Sequence, residues 1–545
     1  MLLRAIMVCT LFFVLDKNRF DCVCSVFTVI NRHTYLHIPS PHHKPPLLLS
    51  SLFQTALKMG QLFSLSKPPA PPSPKTTLEE DEEVEEADPP TFTNTEPKKS
   101  SSSPSLSPDD SLPILAKAKG HYYHPLSGPR ILDACGGAGV SCIGHGREDV
   151  ARIAYAQMKT CAYASHAHFQ TTAAPKLSAW LVDSTGGHMR KVYLLCSGSE
   201  AVEAALKLSR EYFLWAGEPR RVNVIARWES YHGTTLGSLA ASGHVVRREP
   251  FEPMLAPVFH KIPACNPYRQ RLAGESDAEF VVRKTAELED VFQRLGPDTV
   301  AAVILEPVVG AALGCAPAVP GYLQAVKAIC EEHGALLIFD EVMCGMGRTG
   351  TLHAWQQEAV VPDLQTIAKG FAGGYQPASA LLVGAKVVEA MEHAGKTFTH
   401  GQTYQDHPVV AATALKLQEI IQGGNLLGNV QVQGQLLERL LRAKLGGHPN
   451  VGDIRGRGLF WGVEFVRDKA TKEPFDPGLQ VAQQVYRAAM RDFKVLVYHG
   501  QGCAGDGKGD HIMIMPAYNV GSRLVVDMVQ RVAGAVDAAF GTKRC

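Results

Sequence analysis

Residues 335–342, with the sequence ALLIFDEV, are the stretch that best indicates the fold. Five apolar residues are followed directly by Asp340 and Glu341, which is typical of a buried parallel strand that ends in carboxylates. Ligand sites in open α/β sheets lie at this carboxyl edge. Asp340 is therefore a candidate site residue, although the same pattern is also compatible with an aspartate that caps the next helix.

A lysine follows a second apolar segment further along the chain. The sequence Thr366-Ile-Ala-Lys369-Gly370 leads into the glycine-rich residues 371–375. A lysine at the end of a strand is either an ordinary surface residue or a desolvated amine whose lowered pKa makes it a nucleophile toward an aldehyde. The pattern alone leaves both interpretations open, and the surface residue is the commoner case.

Three further apolar runs predict strands of the same sheet, at residues 192–196, 222–226 and 301–305. Because they are apolar on both faces, we expect a mostly parallel sheet that is covered by helices. A helical pattern of alanines begins at Ser199, directly after the first run. Phosphate sites are built at such strand-to-helix junctions, but Ser197 or Ser199 can also simply cap the helix.

The chain of 545 residues is 45% hydrophobic and can bury a large core. The alternation of short apolar runs with helical patterns predicts an α/β fold of several parts. Residues 1–110 are rich in Pro and Ser and carry an acidic block, which predicts a largely disordered extension. Residues 160–408 are predicted to form a large domain around the sheet. A smaller α+β domain is predicted from residues 111–159 and 409–545. The second of these segments has long helical patterns at 409–421, 430–445 and 479–491 and a strand at 462–466.

The charge is balanced, with 54 Lys and Arg against 53 Asp and Glu, so neither a nucleic acid nor an anionic membrane is the expected partner. The 13 cysteines lack a disulfide or zinc pattern, which favours a reducing compartment. We expect a cytoplasmic location, with a mitochondrial one left open. The apolar residues 5–15 are too short for a stable membrane span, and Met59 is an alternative start that would make Gly60 a myristoylation site.

Six motifs occur in a fixed order between residues 197 and 408: SGSEAVEAALK, YHG, EPV, DEVMCGMGRTG, PDLQTIAKG and HGQTYQDHP. This set resembles the class III aminotransferases, which are pyridoxal-phosphate enzymes of fold type I, and the resemblance extends from about residue 114 to 540. The resemblance implies a transaminase that moves an amino group from an amine or amino acid to a 2-oxo acid, with pyruvate as the expected acceptor, by a ping-pong mechanism. An aminomutase, an epimerase or a decarboxylase on the same fold is the alternative.

The resemblance also assigns roles to individual residues. It implies that Lys369 carries the cofactor as a Schiff base and later moves a proton, and that Asp340 pairs with the pyridine nitrogen. Gly198 and Ser199 match the phosphate-binding pair of the family, in agreement with their place at a helix start.

Three further cofactor-binding residues come from the same comparison of motifs. Tyr231 matches the aromatic residue that stacks on one face of the pyridine ring, and Val342 would contact the other face. Thr403 matches the threonine that reaches the phosphate in the neighbouring subunit, so the resemblance implies a homodimer with shared active sites.

Departures from the family pattern bear on the substrate. Members that act on ornithine-like substrates or 2-oxoglutarate carry an arginine and a glutamate where this chain has Met513 and Ala311. We therefore expect the specificity of the ω-amino acid:pyruvate and amine transaminases rather than a glutamate specificity. Met343 replaces a glutamine of some relatives. Lys508, in a predicted glycine-rich loop at 500–509, is either a ligand for the acceptor carboxylate or a solvated side chain.

Several other residues suggest a site but have no predicted role in the chemistry. His400 and His407 in the last motif, and His166 and His168, lack a third ligand or an acidic partner nearby, so no metal is expected. The glycines of residues 135–139 lack the strand–GxGxxG–helix context of a dinucleotide loop. For Glu306, Glu341 and Arg348 the default prediction is a salt bridge in a helix or loop.

Overall fold

The computed structural model describes residues 112–542. The predictions of a disordered extension at 1–110, and of a start at Met1 or Met59, lie outside the described residues. The strands are β1 Leu115–Lys119, β2 Tyr122–Pro125, β3 Ile131–Asp133, β4 Met189–Leu195, β5 Asn223–Arg227, β6 Phe259–Ile262, β7 Val300–Leu305, β8 Val308–Val309, β9 Ala316–Pro317, β10 Leu336–Asp340, β11 Leu364–Ile367, β12 Ser379–Gly384, β13 Val451–Arg457, β14 Phe460–Phe465, β15 Val495–Leu496, β16 Tyr498–Gly505 and β17 Lys508–Ile514.

Helices alternate with these strands through the middle of the chain and dominate its last third. They are α1 Gly136–Gly139, α2 Glu148–Thr160, α3 Ala173–Ser184, α4 Gly198–Trp215, α5 Leu236–Ala241, α6 Val245–Arg248, α7 Pro267–Gln270, α8 Asp277–Leu295, α9 Tyr322–Glu332, α10 Ala385–His393, α11 Pro408–Gly423, α12 Leu426–Leu445, α13 Val481–Arg491 and α14 Ser522–Ala539.

A seven-stranded sheet forms the centre of the fold, in the order β4-β12-β11-β10-β7-β5-β6. The strands β11, β10, β7, β5 and β6 pair in parallel, and only β12 runs antiparallel to its two neighbours. The four predicted strands correspond to β4, β5, β7 and β10. The prediction of a mostly parallel sheet within an α/β fold is therefore confirmed.

Both faces of this sheet are covered, as their apolar sequences predict. In β7, Ala302 and Ile304 pack into the same core as the alanines of α4. The alternate residues Val303 and Leu305 pack on the opposite face, in a core with residues of α8 and α9. Since every residue of β7 is buried, polar side chains are excluded from the strand and appear only after its end.

The segments at the two ends of the described chain pack together. Strand β3 pairs in parallel with β15, and Leu132, Ile143 and Val150 lie in one core with residues of α12, α13 and α14. The helices predicted at 409–421, 430–445 and 479–491 are present as α11, α12 and α13, and the strand predicted at 462–466 is β14. The exact domain boundaries stay a prediction.

The prediction of a loop at 500–509 is wrong, because β16 and β17 form an antiparallel hairpin there. Its register is irregular between Gln501 and Gly505, and Gly502, Gly505 and Gly509 have positive φ. Glycines in this left-handed region allow an extended strand to bulge, which the sequence alone does not distinguish from a loop. Lys508 is exposed at the start of β17.

Within residues 112–542, no helix is both long enough and apolar enough to cross a membrane.

Candidate active site

A cavity of about 480 Å³ lies at the carboxyl edge of the large sheet, where the segments after β4, β5, β7, β10 and β11 converge. This edge is where ligands bind in open α/β sheets. All of the predicted site residues except Thr403 line it. The lining residues are Val140, Cys196, Ser197, Gly198, Ser199, Tyr231, His232, Gly233, Glu306, Ala311, Asp340, Val342, Met343, Ala368, Lys369, Gly374, Gln376, Pro377 and Ala378.

The carboxylate of Asp340 is buried and held by three donors. Its Oδ1 accepts hydrogen bonds from the backbone N–H of Val342, at 3.0 Å, and from the hydroxyl of Thr366, at 3.2 Å. Its Oδ2 lies 2.8 Å from Nδ1 of His232. Because both oxygens are engaged, the carboxylate has a fixed orientation at the end of β10. The structure therefore does not support a helix cap as its main role.

His232 is a site residue that the sequence analysis missed. Its side chain is buried, and while Nδ1 bonds to Asp340, Nε2 is buried and has no partner among the described residues. Buried polar atoms are normally paired, so a polar group of a bound ligand would complete this histidine. Its position in the YHG motif, directly beside Tyr231, was the available signal.

Lys369 follows β11 and occupies the left-handed region of backbone space, with a φ of 49°. This conformation is unfavourable for a residue with a side chain, by about 1–2 kcal/mol. Burial lowers the pKa of the Lys369 amine below its usual value, while the charges of Asp340 and Glu306 act in the opposite direction. The structure thus places Lys369 in a desolvated site, where a neutral and nucleophilic amine is favoured.

The start of α4 forms another wall of the cavity. Ser197 caps this helix, with its side chain accepting from the backbone N–H of Glu200. The capping interpretation is therefore correct for Ser197, whereas Gly198 and Ser199 belong to the first turn and line the cavity. Oγ of Ser199 accepts a hydrogen bond from the N–H of Thr234, at 3.0 Å, so its own proton is available to a ligand.

Gly198 is required by packing rather than by its backbone angles. A β-carbon at this position would lie 2.8 Å from Cγ1 of Val342, closer than β-carbons approach other atoms. A side chain at position 198 would therefore force the start of α4 or the side chain of Val342, two residues after β10, to move. A helix N-terminus with such close backbone access favours an anion such as a phosphate.

Glu306 fixes the segment that carries Tyr231. Its Oε1 accepts from the backbone N–H of Tyr231, at 3.0 Å, and its Oε2 accepts from that of Gly310, at 2.9 Å. Burial raises the pKa of Glu306 above its usual value. The salt bridge expected for Glu306 is wrong, and the residue instead holds the ends of β5 and β7 together at the cavity.

Salt bridging is also wrong for Glu341. Its carboxylate accepts hydrogen bonds from the backbone N–H groups of Ala354 and Trp355, at 2.7 and 2.8 Å. Burial raises the pKa of Glu341 to about 7. Glu341 therefore anchors the segment after the DEVMCGMGRTG motif and does not face the cavity.

Arg348 binds carbonyl groups from distant parts of the chain instead of a carboxylate. Its guanidinium donates to the carbonyls of Gly139, Leu459 and Pro516 and lies over the ring of Tyr518. The expected salt bridge is again wrong. The residue connects the segment before α2 and the C-terminal region to the edge of the large sheet.

One wall of the cavity is apolar. It contains Ala311 and Met343, which pack in one cluster with Met513, Phe460 and Met515. The arginine and glutamate pair of some class III members therefore has no counterpart at these positions. Lys508 does not line the cavity, so the hairpin around it gives no support to its role as a carboxylate ligand.

The HGQTYQDHP motif lies outside this cavity. Thr403 is exposed, and its carbonyl accepts a hydrogen bond from the hydroxyl of Tyr163. His400 Nδ1 lies 3.1 Å from the amine of Lys207. Among residues 112–542, no three His, Cys, Asp or Glu side chains are grouped so that they could hold a metal ion. The contact of Thr403 with a neighbouring subunit stays a prediction.

The model of the protein family described as "Aminotransferase class-III" matches residues 107–536. The chain belongs to this family. As a class III aminotransferase it is an enzyme that transfers amino groups, which confirms the predicted family and transaminase activity.

Individual relatives agree with this assignment. An aminotransferase of Gibberella zeae is 46% identical over 418 residues, which cover 76% of this chain and 82% of that protein. The taurine–pyruvate aminotransferase of Bilophila wadsworthia is 36% identical, with coverages of 66% and 79%. The structure of an amine transaminase from an uncultivated Pseudomonas species, with bound pyridoxal phosphate, matches with a TM-score of 0.74 at 30% identity, covering 82% of this chain and 99% of that one. The fold is thus that of the pyridoxal-phosphate-dependent transaminases, as predicted.

Proposed function

We propose that this class III aminotransferase moves an amino group from an amine or amino acid to a 2-oxo acid, with pyruvate as the acceptor, using pyridoxal 5'-phosphate held on Lys369. The observation that carries the proposal is the combination, in one cavity, of a desolvated lysine and a buried aspartate of fixed orientation. An amine can bind an aldehyde cofactor, and a fixed carboxylate can stabilise a protonated ring nitrogen.

The residues of the cavity fit this cofactor. The first turn of α4, with Gly198 and Ser199, suits a phosphate group, because it combines a helix N-terminus with an available hydroxyl proton. Tyr231 and Val342 line the cavity and would enclose the ring. When bound, pyridoxal phosphate supplies an electron sink for the bond that breaks at the substrate α-carbon.

The chain supplies positioning and proton transfer. Lys369 would hold the cofactor covalently and then act as the base that takes the proton from the substrate α-carbon, a task that its lowered pKa favours. Asp340 would accept a hydrogen bond from the ring nitrogen, and His232 keeps the aspartate in place from the other side. Glu306 holds the backbone of Tyr231 and is a positioning residue.

The choice of acceptor rests on the apolar wall and on the relatives. Ala311 and Met343 leave no charged pair that would select a dicarboxylate, so a small oxo acid such as pyruvate fits better than 2-oxoglutarate. The taurine–pyruvate aminotransferase among the relatives supports the same acceptor. One cavity would serve donor and acceptor in turn, which is the ping-pong scheme.

A homodimer with shared active sites completes the proposal. Thr403 lies outside the cavity of its own chain and is exposed, as expected of a residue that reaches the cofactor phosphate of a second subunit. The cytoplasmic location also stays a prediction.

The test is the visible absorption spectrum of the purified holoenzyme. We expect a band that bleaches with an amine or amino acid and returns when pyruvate is added. Lys369→Ala should lack the band of the lysine-bound cofactor, whereas Lys386→Ala, which changes an exposed lysine on α10, should retain it. Bleaching without recovery by any oxo acid would instead favour an epimerase or a decarboxylase.

A further inference from the structure

The exposed face of α4 contacts the loop of residues 398–404. The backbone N–H of Thr399 donates to both carboxylate oxygens of Glu211, at 3.0 and 3.2 Å. One turn earlier on the helix, the amine of Lys207 lies 3.1 Å from Nδ1 of His400. Since side chains four positions apart lie on the same face of a helix, these two contacts come from one side of α4. The helix therefore holds two consecutive residues of the loop.

Two further contacts attach loop 398–404 to the same helix. Phe398 is buried in one core with residues of α4. Nε2 of Gln402 donates to Sγ of Cys196, at 3.2 Å, and Cys196 lines the cofactor cavity just before α4 begins. The loop thus follows α4 backwards, from Glu211 near the end of the helix to the start of its first turn.

These attachments determine the position of Thr403. The amide of Gln402 that donates to the loop's neighbour also accepts, through Oε1, a hydrogen bond from the backbone N–H of Tyr404, at 3.3 Å. The carbonyl of Thr403 accepts from the hydroxyl of Tyr163, at 2.9 Å. Thr403 is therefore an exposed residue on a fixed backbone. A hydroxyl held in this way loses less conformational entropy on binding a ligand than one on an unattached loop.

The surface around Thr403 has features of a contact with another molecule. Three buried polar atoms of the segment 400–407 have no partner among the described residues, namely Nε2 of His400, Oε1 of Gln405 and Nδ1 of His407. Tyr163 and Tyr404 form an exposed aromatic pair beside them, with ring centres 6.2 Å apart. Because buried polar atoms are normally paired, a further surface is expected to cover this segment. The homodimer proposed above supplies such a surface.

We propose that Glu211 and Lys207 are positioning residues, which present Thr403 of one subunit to the cofactor phosphate of the other. The proposal rests on the homodimer with shared active sites proposed above. The first turn of α4 belongs to the phosphate site of its own subunit, and the exposed face of the same helix holds the loop that completes the phosphate site of the second subunit. One helix thereby serves both cofactor sites.

The experiment uses a mixed dimer that has a single lysine-bound cofactor. Two differently tagged chains are coexpressed, one with Lys369 and one with Lys369→Ala, and the mixed dimer is purified through both tags. Pyridoxal phosphate is titrated into the apoenzyme, and the visible band reports only the site that contains Lys369. Glu211→Ala or Lys207→Met is placed either in the chain with Lys369 or in the opposite chain. Glu389→Ala, which breaks an exposed ion pair with Arg190, is the matched control.

We expect Glu211→Ala in the chain without Lys369 to raise the Kd of the cofactor about 3- to 10-fold, the effect of losing one hydrogen bond that holds the loop. Lys207→Met in that chain should act in the same direction. Either change in the chain with Lys369, and Glu389→Ala in either chain, should alter the Kd by less than about 2-fold. When the same chain also carries Thr403→Val, Glu211→Ala should have no further effect, because a positioning residue acts only through the residue that it positions.

Equal effects of Glu211→Ala in the two chains would overturn the proposal, because a general weakening of α4 would then be the cause. An unchanged Kd would also overturn it if Thr403→Val on the opposite chain does weaken cofactor binding, and the shared active site would then stand. If Thr403→Val acts only in the chain that contains Lys369, the shared active site fails and the inference fails with it. Lys207→Met, a change at an exposed side chain, provides the same test if Glu211→Ala does not fold.

Discussion

Replacing Gly198 by alanine places a methyl group against Val342, across the junction between α4 and the end of β10. The added carbon would lie 2.8 Å from Cγ1 and 3.1 Å from Cγ2 of Val342, whereas carbon atoms are most stable at about 3.5–4.0 Å. The overlap is close to 1 Å for one methyl, so the helix start or the valine must move. Overpacking of this kind costs about 1–3 kcal/mol.

Because both sides of this contact line the cofactor cavity, we expect the cost to appear as weaker cofactor binding. A loss of about 1–3 kcal/mol corresponds to a Kd raised about 5- to 150-fold. The assay titrates the apoenzyme with pyridoxal phosphate and follows the visible band. Gly423→Ala is the matched control, since a β-carbon at that position has no atom within 4 Å.

A second variant separates the steric cause from a general disturbance of the helix. Val342→Ala removes both methyl groups that the new carbon would meet. In this background Gly198→Ala should change the cofactor Kd by less than about 3-fold, and the double-mutant cycle should show a coupling of about 1 kcal/mol or more. Wild-type affinity in Gly198→Ala alone, or no rescue in the double variant, would refute the reasoning.

Three further predictions concern Asp340, Glu341 and Thr403. Asp340→Asn removes the charge of a side chain that is held by three donors but keeps its size. The rate at which an amine bleaches the visible band should therefore fall about 100- to 1,000-fold. An unchanged rate would contradict the pairing of Asp340 with the ring nitrogen of the cofactor. Burial raises the pKa of Glu341 to about 7, so the folded protein keeps this carboxyl protonated up to a higher pH than the unfolded chain does. The resulting stabilisation of the folded state is fully present below about pH 4.5 and is lost as the pH rises through 7. The thermal midpoint of the wild type should therefore fall over this range relative to Glu341→Gln, by the equivalent of roughly 3 kcal/mol, and parallel pH profiles would contradict the shift. Thr403→Val should raise the cofactor Kd about 10- to 100-fold if its hydroxyl reaches the phosphate across a dimer, and a fully active monomer in light scattering would exclude that contact.

The site residues that could be predicted from the sequence share one feature. Asp340 ends the strand β10, and Lys369 and Ser199 come shortly after β11 and β4. Apolar runs in the sequence indicate such strands. In a mostly parallel sheet their carboxyl ends meet at one edge. The position of each residue at the end of an apolar run therefore predicted that the three residues lie close together, and the order of the motifs indicated the family.

The roles of His232 and Glu306 could not be predicted in the same way. His232 bonds to a residue 108 positions away and Glu306 to one 75 positions away, and no local pattern encodes such pairs. A salt bridge is the default prediction for Glu306, and it does not form. Its partners are backbone N–H groups, which every residue except proline carries and which a sequence therefore does not distinguish.

The parallel pairing of β3 with β15 has a consequence for the synthesis of the protein. These strands are separated by about 360 residues, so at a translation rate of about 5–20 residues per second β3 emerges roughly 20–70 s before its partner. During that interval the apolar side chains of Leu132 and Ile143 lack the C-terminal core in which they are finally buried. A stop codon before residue 495 would remove β15 and α14, so part of this core would be missing even though every residue of the cofactor cavity had already been made.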